Sequence, residues 1–228
     1  MNWFTNFFSS TLGRKLMMAL TGLFLILFLA VHLAGNLQLL KSDGGRAFNV
    51  YAHFMTHNPL IVTISVVNFA FIAIHIIWAA ILTRRNRAAR GPVGYAVTNN
   101  SSSLTSRNMG ILGTLILVFI VIHLRSFWYE THFGNIPLVD YDGSPVKDLF
   151  TVVDVAYTQL WFVVLYVVSM AIVGFHLYHG FGSAFQTLGL NHVKYNPAIR
   201  FIGVAFSIVV PVLFALIPIL MFLDITIG

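Results

Sequence analysis

Five stretches of this chain stay apolar for about 20 residues or more, the length a helix needs to cross about 30 Å of hydrocarbon at about 1.5 Å per residue. They run over 16–40, 60–83, 108–129, 158–181 and 199–223. An open sheet cannot satisfy its backbone in lipid, and these runs are too long and continuous for barrel strands. The expected fold is therefore an all-α integral membrane protein, a five-transmembrane-helix bundle. The connecting loops are too short for a second domain, so residues 1–228 form a single membrane domain. Pro211 and Pro218 are expected to bend the fifth span. Arg14 and Lys15 precede the first span, but its apolar run exceeds a signal-peptide core of about 7–15 residues, so it reads as a span. No internal repeat is evident, and Asn99 to Ser103 reads as a polar, flexible stretch.

Only 9% of the residues are charged, against about 25% in soluble domains, and 58% are hydrophobic. The absence of cysteine excludes disulfides, thiolate zinc sites, iron–sulfur clusters and covalent c-type haem attachment. The net charge of +6 divides by side. Arg14, Lys15, Arg84, Arg85, Arg87, Arg90, Arg107, Lys194 and Arg200 fall on one side of the five spans. Asp43, Glu130, Asp140, Asp142, Asp148, Asp154 and Asp224 fall on the other. The positive-inside rule then predicts a cytoplasmic N-terminus and a C-terminus outside. The basic excess records topology and membrane lipid, and it calls for no nucleic acid.

Histidines outnumber acids, nine against seven. An ionisable group inside a span is costly without a partner, and the first four spans carry one each: His32, His75, His123 and His176. The alternating topology puts His32 and His123 about 24 and 22 Å from the inner end, in the outer half. His75 and His176 fall in the inner half. Two pairs at two depths suit two b-type haems stacked across the membrane, each iron held by two imidazoles: His32 with His123, and His75 with His176. Gly22, Ala30, Gly35, Ala79, Gly113, Gly174 and Gly180 offer small surfaces for a flat group. The plainer alternative is a histidine hydrogen-bonded to a neighbouring helix. His179, three residues beyond His176, is a candidate substitute ligand or haem-propionate partner, or else an interfacial polar residue. Arg125 is a candidate counter-ion for propionates, or a snorkelling cation. His53 and His57 have an i, i+4 spacing without a third ligand. With the apolar stripe Phe48, Tyr51, Ala52 and Met55 they predict a short interfacial helix capping the bundle. His132 and His192 carry no chemical signal.

Three motifs add a resemblance. The first span contains His32-Leu33-x-x-Asn36, and the following loop Gly44-x-x-x-Phe48-Asn49-x-x-Ala52-His53-Phe54-Met55. The fourth has His176-x-x-x-Gly180, with Gly189 thirteen residues after the histidine. Over Leu16 to Gly189 the chain resembles the five-helix dihaem cytochrome b anchor of succinate dehydrogenase and fumarate reductase, the single-anchor bacterial type. The resemblance selects His176 over His179 as ligand. It implies a multi-pass protein of the bacterial inner membrane, holding a flavoprotein subunit and an iron–sulfur subunit on the cytoplasmic face. Dicarboxylate chemistry belongs to those partners, and this chain relays electrons to membrane quinone, menaquinone in this type. The Arg84 to Arg107 loop is on the side expected to dock the iron–sulfur subunit. A quinone site is expected near His32 and His123, bordered by His53, Phe54, Met55, Arg125 and Glu130.

Some fumarate reductases of this type carry a Glu two residues before the fourth-helix histidine, serving a proton route. Here Gly174 stands there, and no span interior holds a carboxylate, so that route is expected to be absent. Rival readings are a cytochrome b anchor of a hydrogenase or formate dehydrogenase, a haem-free membrane enzyme with a His-bound metal, and a proton-relaying transporter.

Overall fold

A computed structural model describes residues 2–90 and 104–227. The expected polar stretch at Asn99 to Ser103 lies outside them, as does the middle of the arginine-rich loop. Five helices among the described residues are long and apolar enough to cross a membrane. They are α2 (Thr11–Asn36), α4 (Pro59–Arg90), α5 (Leu104–His123), α8 (Leu160–Thr187) and α9 (Asn196–Phe222). The third span continues beyond α5 through a π-helical segment at Leu124–Trp128 into α6 (Tyr129–Phe133). The chain is a predominantly helical, multi-pass membrane bundle, with one short hairpin outside the spans. Large apolar residues such as Leu27, Val66, Ile111, Val118, Val168 and Phe201 are exposed along these helices, as suits faces turned to lipid.

Each span is longer than its apolar run because polar residues at the ends support extra turns. Ser10 Oγ accepts from Gly13 N (2.9 Å) and starts α2. Asn58 Oδ1 accepts from Leu60 N (3.0 Å) and Ile61 N (3.3 Å), and Pro59 opens α4 with its φ already set. A short α1 (Trp3–Ser9) precedes α2, and a 3₁₀ turn (Leu37–Leu40) extends it. α9 remains one helix through Pro211 and Pro218, both buried.

The expected interfacial helix is present as α3 (Arg46–His57), but it belongs to a larger cap. Strands β1 (Leu138–Tyr141) and β2 (Ser144–Lys147) form an antiparallel hairpin, and α7 (Leu149–Tyr157) follows. Asp142 and Gly143 make its two-residue turn, both at positive φ (57° and 82°), as the twist of a tight hairpin requires. Asn49 is the hub of the cap, 1% exposed. Its amide donates to Tyr141 Oη (3.1 Å) and Asp148 Oδ1 (3.0 Å), and its oxygen accepts from Phe150 N (2.8 Å). Beneath the cap lies the main apolar core, drawn from α2, α7, α8 and α9 and including Leu33, Leu40, Tyr157, Phe162, Tyr166 and Ile217. Ile227 N donates to Leu40 O (2.6 Å), which ties the C-terminal tail to this same end. All seven acidic residues lie on elements at the cap end. Arg14, Lys15, Arg84, Arg85, Arg87, Arg107, Lys194 and Arg200 lie toward the other, basic end.

Candidate functional site

The helices bring the four span histidines together in two pairs. His32 of α2 faces His123, the last residue of α5, with ring centres 5.8 Å apart and planes at 90°. His75 of α4 faces His176 of α8 at 6.4 Å and 64°. The pairs occupy two levels along α2: His32 belongs to one, and Thr21, eleven residues earlier, touches His75 of the other. At about 1.5 Å per residue that separation is about 16 Å.

The cap-end pair is walled by aromatic rings. Phe28 stacks on His32 (5.2 Å between centres, 15°), and Phe214 lies 5.7 Å away. Phe119 and Phe127 flank His123 at 5.8 and 5.5 Å. Tyr166 Oη is 3.2 Å from His123 Nδ1. Asn36 Nδ2 donates to the His32 carbonyl (2.8 Å) and lies 3.4 Å from its Nδ1. The π-helical segment begins one residue after His123; such an inserted turn re-aims the side chains beside it.

The basic-end pair has sparser surroundings. Thr21 is fully buried, and its hydroxyl donates to Met17 O (2.7 Å), so its oxygen is free to accept from His75 Nδ1, 3.1 Å away. With its Nδ1 proton so placed, His75 would keep its Nε2 lone pair available. Gly22 makes room for the ring, since a Cβ there would lie 3.3 Å from His75 Cε1. His176 Nδ1 is buried with no hydrogen-bond partner among the described residues.

These residues fit a haem. With metal–nitrogen bonds of about 2 Å and about 1 Å from nitrogen to ring centre, two imidazoles on opposite sides of one ion have centres about 6 Å apart. Both pairs have that spacing. Among the described residues no third His, Cys, Asp or Glu joins either pair. Two neutral nitrogen donors are a poor site for a bare ion, but they complete an iron whose other four positions are held by a macrocycle.

The small residues divide. Gly22 opens onto His75, and a Cβ at Gly113 or Gly180 would meet nothing within 4 Å. Gly35 instead admits Tyr51 of α3, whose Cε1 would be 2.5 Å from a Cβ. Gly174 lets α8 approach α9, where a Cβ would stand 3.1 Å from Ser207 O. A larger side chain at 174 would have to displace that backbone. Ala30 is exposed.

His179 is not the ring that faces His75. It lines a cavity of about 560 Å³ between α8 and α9, with Gln186, Asn191, Asn196 and Arg200. Arg125, on the π segment, pairs with Glu130 and lies over the Tyr129 ring (4.6 Å) at the exposed surface. His53 and His57 stack at 4.0 Å on the exposed side of α3, and His57 Nδ1 donates to His53 O (2.8 Å). His132 donates to Trp128 O (2.8 Å), and His192 Nδ1 accepts from Lys194 N (3.2 Å). Sequence reasoning missed Thr21 and Tyr166, the partners of two ligand candidates. A hydroxyl in an apolar span is a faint signal, and nothing in spacing tells which helix it faces. No protein-family model, curated protein or solved structure matches the chain.

Proposed function

We propose that this chain is the dihaem cytochrome b membrane anchor of a succinate:quinone oxidoreductase, succinate dehydrogenase or fumarate reductase. The observation that carries the reading is the arrangement of four span histidines as two facing pairs about 16 Å apart along α2. His32 and His123 would hold one b-type haem, and His75 and His176 the other. Bound there, each haem would supply a one-electron centre suited to electron transfer, and these imidazoles would hold it. Thr21 keeps the proton of His75 on Nδ1, and the aromatic wall fixes the ring planes of His32 and His123.

In this reading the basic end is cytoplasmic, by the positive-inside rule, and the capped end lies outside a bacterial inner membrane. The flavoprotein and iron–sulfur subunits dock on the cytoplasmic face, where the arginines at the end of α4 offer complementary charge. Quinone, menaquinone in this type, is reduced or oxidised near the cap, beside Phe54, Arg125 and Glu130. Carboxylate and imidazole groups there can exchange the protons that quinone chemistry needs.

Reduced-minus-oxidised spectra of the purified chain test the reading. Two b-type haems per chain are expected, together with co-purification of a flavoprotein having succinate dehydrogenase activity. A preparation with no b-type spectrum sinks it. Haem with hydrogenase or formate dehydrogenase subunits would transfer the chain to a different respiratory complex.

A further inference from the structure

Arg14 differs from its neighbour Lys15, which is exposed at the same end of the bundle. Arg14 is only 7% exposed, and its Nε and Nη1 are buried without a hydrogen-bond partner among the described residues. An arginine near a membrane surface usually extends its fixed positive charge to water or headgroups. This one turns inward, with its guanidinium 5.6 Å from the centre of the Trp78 ring on α4. It also lies in the first turns of α2, where the helix dipole opposes a cation. No carboxylate side chain is available to it. All seven acids belong to the cap end, and the segment 91–103 contains none. The Trp78 face offsets part of the desolvation and leaves Nε and Nη1 without an acceptor.

We infer that Arg14 binds an anionic oxygen ligand, a carboxylate or a phosphate, that enters the bundle at its basic end between α2 and α4. The position favours a ligand reaching up toward the histidines. Trp78 lies three residues beyond His75 toward the basic end, and Thr21, which touches His75, is seven residues or about 10 Å above Arg14. A carboxylate of a haem held by His75 and His176 is one source, and that source rests on the proposed function. A lipid phosphate entering from the headgroup layer has the same chemistry and does not depend on it.

The full-length chain, purified as wild type, Arg14→Gln and Arg14→Lys, separates the sources by redox titration and by bound phospholipid. If a haem carboxylate is the ligand, Arg14→Gln lowers the midpoint potential of one haem, because a cation favours the reduced form, and leaves the other unchanged. Arg14→Lys then restores most of the shift. If a lipid phosphate is the ligand, both potentials stay put and Arg14→Gln loses about one retained phospholipid per chain. Should Arg14→Gln not accumulate, Arg14→Lys is compared directly with wild type and is expected to show a partial change in one of the two readouts. Unchanged potentials and unchanged lipid in the variant that accumulates overturn the inference. A wild-type chain devoid of haem overturns the proposed function, while the lipid measurement still tests Arg14.

Discussion

α2, α8 and α9 bury side chains along much of their length, whereas α4 buries Asn68 alone among its described side chains and α5 buries none. Each histidine pair joins the two groups. His32 and His176 stand on the packed helices, and His123 and His75 on the loosely packed ones. Apolar packing between helices gains little in lipid, where the tails are as apolar as the side chains. A ligand bridging each pair would therefore attach α5 and α4 to the central three more firmly than their own contacts do. Under the proposed function, the two haems would serve as fasteners as well as electron carriers.

The largest effect is expected from removing the fasteners. His75→Ala or His123→Ala should each leave about half the wild-type haem, and the double variant none. Amide hydrogen exchange should then quicken in α4 alone or α5 alone, with α2, α8 and α9 unchanged. Equal quickening in all five helices would erase the distinction between the groups. Gly22→Val should come next, because its Cβ would press on His75, 3.3 Å away, and cost most of the basic-end haem. Gly113→Ala, on open ground, should retain both haems and shift stability by no more than about 0.5 kcal/mol.

Another variant tests the cap that sits over the packed helices. Asn49→Ala strands Phe150 N and removes a donor from Asp148, costing about 2–3 kcal/mol, seen as a lower thermal midpoint with haem content retained. Burial by itself would raise the Asp148 carboxyl, but hydrogen bonds from Thr151 and Asn49 outweigh it and hold the group below its ordinary value. Its contribution to stability is therefore complete above the ordinary aspartate range and fades as pH falls through the lowered value. The cap should loosen on acidification, with a shallower pH dependence in Asn49→Ala; equal slopes would remove Asp148 from the account. A further contrast is between two hydroxyls. Thr21→Val takes away the partner of His75 and should weaken the basic-end haem about 10-fold in a dissociation assay. Tyr166→Phe should do less at the other end, because Phe119 and Phe127 still brace His123.

The spans could be read from sequence because a membrane demands one uninterrupted apolar length, and His32, His75, His123 and His176 could be assigned depths by counting residues. Which rings face each other depends on the rotation of each helix about its axis, and that is fixed by packing. The cap was only partly legible. The stripe around Phe48 foretold α3, whereas α7 sits next to the fourth apolar run and resembles loop until Asp148 is seen to start it. Asp142-Gly143 between short apolar stretches was a readable hairpin signal. The π-helical turn after His123 leaves no mark in composition. Arg14 looked like a flanking charge because the apolar run begins at Leu16, although α2 already starts at Thr11.

The hub at Asn49 also carries a timetable. Its partners Asp148 and Phe150 lie 99 and 101 residues further along the chain. At synthesis rates of about 5–20 residues per second, they emerge from the ribosome about 5–20 s after Asn49. Until the third span has crossed and the hairpin has followed it, the Asn49 amide has only water to satisfy it. Closure of the cap thus reports that three spans have been inserted in order, and a chain stalled before Asp148 would expose α3 to quality-control proteases.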